Sequence, residues 1–189
     1  MKRCFIGLKL ENSTVESLKV QLQALKKLPT TAARKLRPVT PENLHVTVKF
    51  LGPVPDAQIN DILTIMAKAV QIFTPVAINV QGYSSFGTLD KPRHIIALLD
   101  DKSDFIIKLG TYLDELLMPL GFAIEDKPRI AHITLARVQQ AKVNGALTDW
   151  LYDAPRGRVG PVATAALILF ESKNDRERRV YAPIGEVAF

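Results

Sequence analysis

Apolar residues recur along this chain with two different periods, and each predicts an element. The run Cys4-Phe5-Ile6-Gly7-Leu8 is short and almost wholly apolar, as a buried strand is. Between Glu11 and Lys27, residues Val15, Leu18, Leu22 and Leu25 return at spacings of three and four, which predicts an amphipathic helix. Asn12 or Ser13 is its expected N-cap, and Pro29 lies just past its end. Residues 44–51 alternate apolar and polar, the pattern of a half-buried strand. Residues 56–73 form a second helix carrying Ile59, Ile62, Leu63, Met66 and Val70, and residues 76–80 a strand running into a loop from Gly82 to Gly87.

The order then begins again. A strand is predicted over 94–99, a helix over 103–117 with Phe105, Ile106, Leu109, Leu113 and Leu116 on one side, and a strand over 130–138. A short helix over 145–152 and a strand over 163–170 follow, with residues 179–184 as an edge strand or hairpin partner. Each half therefore spells β-α-β-α-β. The expected fold is α+β: one bilobal domain over 1–189, with lobes of roughly 1–90 and 91–189 related by a pseudo-two-fold axis around a central cleft. Exchange of strands between the lobes is compatible with this pattern.

Composition narrows the class. The 189 residues are 47% hydrophobic and 23% charged, an ordinary globular balance, and a chain this long buries a core without covalent staples. One cysteine, Cys4, excludes an intramolecular disulfide framework and any multi-cysteine metal site. No apolar run approaches the roughly 20 residues that span a bilayer. Glu11 comes too early for a signal sequence, so a soluble, cytoplasmic protein is expected. The net charge of +6 admits an anionic partner such as RNA without requiring one.

The three histidines are more informative. His45 is followed at two residues by Thr47, and His132 at two residues by Thr134, each pair on the third element of its half. Strand side chains alternate, so each imidazole shares a face with its hydroxyl, and facing lobes would line one cleft with both pairs. With 12 threonines in the chain, two of three histidines having this partner is roughly a one-in-a-hundred coincidence. The plainer reading is two structural histidines hydrogen-bonded at strand ends. Two facing imidazoles suit phosphodiester cleavage, where one removes a proton from the nucleophile and the other protonates the departing oxygen in line. The Thr47 and Thr134 hydroxyls can stabilise the non-bridging oxygens. Neither a zinc-ligand spacing, a phosphate-binding loop nor a dinucleotide fingerprint is present, and Cys4 has no local partner to activate it.

The phrase Pro41-Glu42-Asn43-Leu44-His45-Val46-Thr47-Val48-Lys49-Phe50-Leu51-Gly52, followed by His132-Ile133-Thr134-Leu135-Ala136-Arg137, resembles the two-histidine (2H) phosphoesterase superfamily. Within it, the chain is most similar to the RNA 2′,3′-cyclic phosphodiesterases, also called 2′-5′ RNA ligases. The resemblance implies a bilobal monomer with both motifs in a central cleft and neither metal nor cofactor. It implies opening of an RNA terminal 2′,3′-cyclic phosphate to a 2′-phosphate, with weak ATP-independent 2′-5′ joining in some members. It also implies His132 as general base and His45 as general acid. Two other readings stay open: a 2H phosphoesterase acting on 2′-5′ oligoadenylate, small cyclic nucleotides or RNA 3′ ends, and a non-catalytic protein that binds RNA ends.

Around the pairs, Arg129 is a candidate phosphate contact, whereas strand parity puts Arg137 on the face opposite His132. Lys49 shares the face of His45 and is expected to reach the RNA backbone. Tyr83 and Phe86 are candidates for stacking on a base. Phe50 is expected in the core and His94 in a structural role. The runs Arg34, Lys35, Arg37 and Arg176, Arg178, Arg179 read first as solvated surface.

Overall fold

The computed structural model describes residues 1–33, 36–88, 91–139, 145–154, 158–175 and 178–189. In chain order the elements are β1 (Lys2–Leu8), α1 (Asn12–Lys26), α2 (Thr30–Ala33), β2 (Leu36–Pro38), β3 (Val46–Val54), α3 (Ile59–Ile72) and β4 (Asn79–Thr88). They continue with β5 (Lys91–Asp100), α4 (Phe105–Leu117), β6 (His132–Val138), α5 (Gly145–Asp153), β7 (Arg158–Pro161), β8 (Ala166–Asp175) and β9 (Arg178–Ala188). This is the mixed helix-and-strand architecture expected from the alternation.

The strands form one antiparallel sheet in the order β7-β4-β5-β6-β3-β1-β8-β9, with β2 also paired to β6. Outward from the β3–β6 seam lie β1, β8 and β9 on one side and β5, β4 and β7 on the other. The middle of the sheet therefore does not divide the chain at residue 90. β4 pairs with β5, and β8 with β1, so each half of the sequence lends a strand to the other's side.

One face of the sheet packs under the helices. Leu18, Leu22 and Leu25 of α1, Ile62 and Met66 of α3, and Leu109 and Leu113 of α4 bury against Ile6, Leu8, Ile95, Ile133 and Leu169. Each such side chain contributes about 1.5–3 kcal/mol of burial, so the helix stripes read from sequence also hold the sheet together. A smaller cluster of Phe5, Ile168 and Phe170 is separate from that core.

Three local expectations are corrected. Gly82 to Gly87 is not a loop but part of β4, and the register slips between Val80 and Tyr83 and between Phe86 and Gly87. Gly82 (φ 67°) and Gly87 (φ 94°) supply the positive φ that these irregularities use, so they mark bulges within a strand. Neither Asn12 nor Ser13 caps α1: the cap position is Glu11, and its side chain makes no cap bond. α4 starts at Phe105 because the Asp101 carboxylate accepts the N–H groups of Phe105 (2.9 Å) and Ile106 (2.8 Å). Among the described residues no helix is long and apolar enough to cross a membrane.

Candidate active site

β3 and β6 meet through one register pair, Val46 with Ile133. These are the middle residues of the two His-x-Thr phrases, so the seam sets the motifs side by side. His45, Thr47, His132 and Thr134 all line one cavity of about 400 Å³. Both pairs therefore line one cleft, as strand alternation predicts.

Both imidazoles are held in the same way. Nδ1 of His45 donates to the carbonyl of Asn43 at 2.6 Å, and Nδ1 of His132 to that of Ile130 at 2.6 Å. A carbonyl can only accept, so each neutral ring carries its proton on Nδ1 and offers Nε2 for proton transfer. The Thr47 hydroxyl donates to Nε2 of His45 at 3.1 Å. Among the described residues Nε2 of His132 has no protein hydrogen-bond partner.

The surroundings differ more than the tethers. His45 lies 4.7 Å from the Phe5 ring and 4.9 Å, edge-on, from Tyr181. Asn43 fastens that aromatic wall: its Nδ2 donates to the Arg179 carbonyl at 2.6 Å, and its Oδ1 accepts from the Tyr181 N–H at 3.0 Å. Burial pushes His45 down to about 4, against the pull of the Asn43 carbonyl, with a smaller depression from His132. Burial also lowers His132, whose ring meets Phe86 edge-on at 4.7 Å. In the protein alone both rings are therefore predominantly neutral at pH 7.

The alternation of side chains fails just beyond each motif, and it fails in the same place. β1 pairs Gly7 with Thr47 and Ile6 with Lys49, passing over Val48. β5 pairs Ile96 with Thr134 and Ile95 with Ala136, passing over Leu135. Each extra residue reverses the faces of the residues that follow, in β3 as far as a second slip at Leu51. Phe50, expected in the core, is 61% exposed and lines the cavity. Arg137, expected on the far face, lines it too.

Lys49 is turned the other way. It is 2% exposed, its Nζ lies 2.5 Å from Oδ1 of Asp114, and it donates to the Ala123 carbonyl at 2.5 Å, so it does not reach a substrate in the cavity. Arg129 is committed to the same carboxylate and donates through Nη1 to the Val48 carbonyl at 2.8 Å. It borders an adjoining groove, not the cavity between the histidines. Burial alone would raise Asp114, but the bonds from Lys49 and Arg129 together outweigh it and hold the carboxyl below its usual range.

Of the two aromatic candidates, only Phe86 reaches the cavity. Tyr83 packs 5.6 Å from Trp150, where burial pushes its phenol up to about 12; the slip after Val80 has turned it toward the core. His94, expected to be structural, lines the cavity beside Phe86. Arg3, Arg179 and Tyr181 also line it, and no spacing in the sequence connects them to the motifs. Among the described residues no carboxylate faces the cavity, and no group of three or more His, Cys, Asp or Glu is placed to hold a metal. Burial pushes the Cys4 thiol up to about 11, which leaves it a poor nucleophile. Arg34, Lys35 and Arg176 lie outside the described residues, as does the side chain of Arg178.

Comparison with known proteins shows what this chain is similar to. Residues 14–96 match the family described as LigT like Phosphoesterase. The RNA 2′,3′-cyclic phosphodiesterase of Aeropyrum pernix is 26% identical over 152 residues, covering 80% of this chain and 85% of that protein. The protein of the same name from Methanothermobacter thermautotrophicus is 24% identical over 173 residues, covering 90% of each. In fold, the chain is similar to the protein TT0787 of Thermus thermophilus (TM-score 0.76, 23% identity, 98% of this chain and 97% of that one). It is also similar to E. coli LigT complexed with 3′-AMP (TM-score 0.73, 22% identity, 99% and 97%). The chain is thus similar in sequence, over residues 14–96, to the LigT-like phosphoesterases, and similar in fold to LigT over nearly its whole length.

Proposed function

We propose that this protein is an RNA 2′,3′-cyclic phosphodiesterase that opens a terminal 2′,3′-cyclic phosphate to a 2′-phosphate. The observation that carries this reading is the pair of identically tethered imidazoles in one cavity that no described carboxylate lines. The shared name of the relatives supports it. In the reaction, His132 takes a proton from water through Nε2, the oxygen attacks phosphorus, and the bond to the ribose O3′ breaks. His45, protonated once the phosphate anion lies beside it, gives its proton to O3′. Nε2 of His132, without a hydrogen-bond partner among the described residues, and the bonded Nε2 of His45 support this division of roles. Thr47, Thr134 and Arg137 hold the non-bridging oxygens, and Phe86 offers a face to a base. The two motifs belong to one two-lobed catalytic unit, acting as a monomer on RNA.

The test is incubation with an oligoribonucleotide ending in 2′,3′-cyclic phosphate, beside a 2′-5′ oligoadenylate, a 3′,5′-cyclic nucleotide and an unmodified RNA 3′ end. A 2′-phosphate product from the first substrate, formed faster than any product from the others, supports the reading. Turnover of one of the others alone would move the activity to that substrate. Tight binding with no product would make this a protein that holds RNA ends.

A further inference from the structure

A row of side chains crosses the sheet beside the cavity. Arg37 of β2 is in register with Arg137 of β6, Arg137 with His94 of β5, and His94 with Phe86 of β4. Residues directly opposite in an antiparallel ladder project from the same face, so all four share the face on which Arg137, His94 and Phe86 line the cavity. Neighbouring strands lie about 4.8 Å apart, so the row from Arg37 to His94 is roughly 10 Å long.

Two arginines directly opposite each other destabilise a strand pair unless an anion lies between them. Among the described residues neither Arg37 nor Arg137 has a carboxylate within ion-pair distance, and His94 has no hydrogen-bond partner. The buried Lys49 and half-buried Arg129 near the motifs are spent on Asp114, whereas Arg37 and Arg137 are exposed and have no such carboxylate among the described residues. Arg37 is exposed and stands beyond the cavity, so the phosphate that Arg137 would hold between the histidines leaves it unused. Phe86 closes the opposite end of the row with an aromatic ring.

We propose that Arg37, beside Arg137 on the side away from His94, carries the sugar–phosphate backbone of single-stranded RNA leading away from its cyclic phosphate end. Arg137 stands at the reacting phosphate, and Arg37 takes a phosphodiester of the chain 5′ to it. This rests on the reading of the cavity as an RNA-end site and adds the direction in which the polymer lies. It makes the site one for a chain, with the charge contacts reading length and not base sequence.

The experiment compares a nucleoside 2′,3′-cyclic phosphate with oligoribonucleotides of two, three and six residues bearing the same end. Both wild type and Arg37→Gln are used, at several salt concentrations. Binding of a labelled six-residue RNA is followed in parallel by fluorescence anisotropy, and a thermal melt checks the fold. We expect KM in the wild type to fall with chain length. Arg37→Gln should leave turnover of the nucleoside substrate unchanged while weakening the hexanucleotide by about 3–10-fold, with a shallower salt dependence by about 0.7 in slope. Equal effects of Arg37→Gln on all lengths, unchanged binding of the hexanucleotide, or no length dependence in the wild type would overturn this path. A wild type that turns over nothing, yet binds RNA in a manner that depends on length and on Arg37, would keep the path and remove the proposed activity.

Discussion

Val46 stands opposite Ile133 in the one register pair that joins β3 to β6, so the centre of each His-x-Thr phrase is the other's neighbour in the sheet. Backbone pairing, not side-chain contact, sets the distance between the two imidazoles. The tethers to Asn43 and Ile130, each two residues back, then aim both rings. Two imidazoles aimed this way need no reorganisation before the proposed proton transfers.

His45→Ala and His132→Ala should each lower turnover by about 10²–10⁴ while melting like the wild type. Steady-state rates on a cyclic-phosphate-ended oligonucleotide give the measurement. Near-wild-type turnover in either variant would end the paired mechanism.

A substrate whose 3′-oxygen is replaced by sulfur separates the two roles, because a thiolate leaves with little help from an acid. On it, His45→Ala should recover much of its lost rate and His132→Ala should not. The opposite pattern of rescue would exchange acid and base.

Stability should depend on His45 in a defined direction. Its folded pKa of about 4 lies below the ordinary value of 6.5, so the unfolded chain binds the proton more tightly. The protein is therefore fully stabilised above pH 6.5 and loses up to about 3 kcal/mol as pH falls toward 4. Melting temperatures between about pH 4 and 7 should show this loss, and His45→Phe should flatten it. An unchanged slope in that variant would place the acid sensitivity elsewhere.

Lys49 and Phe50, adjacent in sequence, should behave oppositely. Asp114→Ala strands the buried Lys49 and Arg129 charges and should cost about 3–5 kcal/mol, a fall of roughly 10 °C in Tm. Phe50→Ala removes an exposed ring and should stay within about 0.5 kcal/mol of wild-type stability while reducing activity. Unfolding by denaturant with both variants is the check.

The sequence made some of this legible for a clear reason. The strict two-residue period holds from His45 to Thr47 and from His132 to Thr134, so the shared faces of both pairs could be read directly. It fails one residue later in each strand, at Val48 and Leu135, and nothing in those apolar residues announces an extra position. Lys49, Phe50 and Arg137 were misplaced by that single cause. Tyr83 was misplaced by a similar slip in β4, where Gly82 looked like a turn. Arg179 and Tyr181 reach the cavity because β9 folds back over β8, and Asn43 locks that return, a contact across more than 130 residues that no local pattern encodes. The helices were read well because their apolar stripes alone determine which side is buried.

The extra residue at Val48 works on its strand as a frameshift works on a message. Upstream of it, the odd-numbered positions His45 and Thr47 are read by the cleft; downstream, the even-numbered Phe50 is, before a second slip at Leu51 changes the phase again. A regular strand spelled with the same letters would send a lysine to the substrate side and a phenylalanine toward Asp114, each side chain chemically intact and in the wrong company. Losing Val48 itself would leave both on their present sides, because the frame closes over the gap. Composition, charge and both histidine motifs are the same in the regular strand as in the shifted one. What separates them is phase, a property that belongs to no single residue of β3.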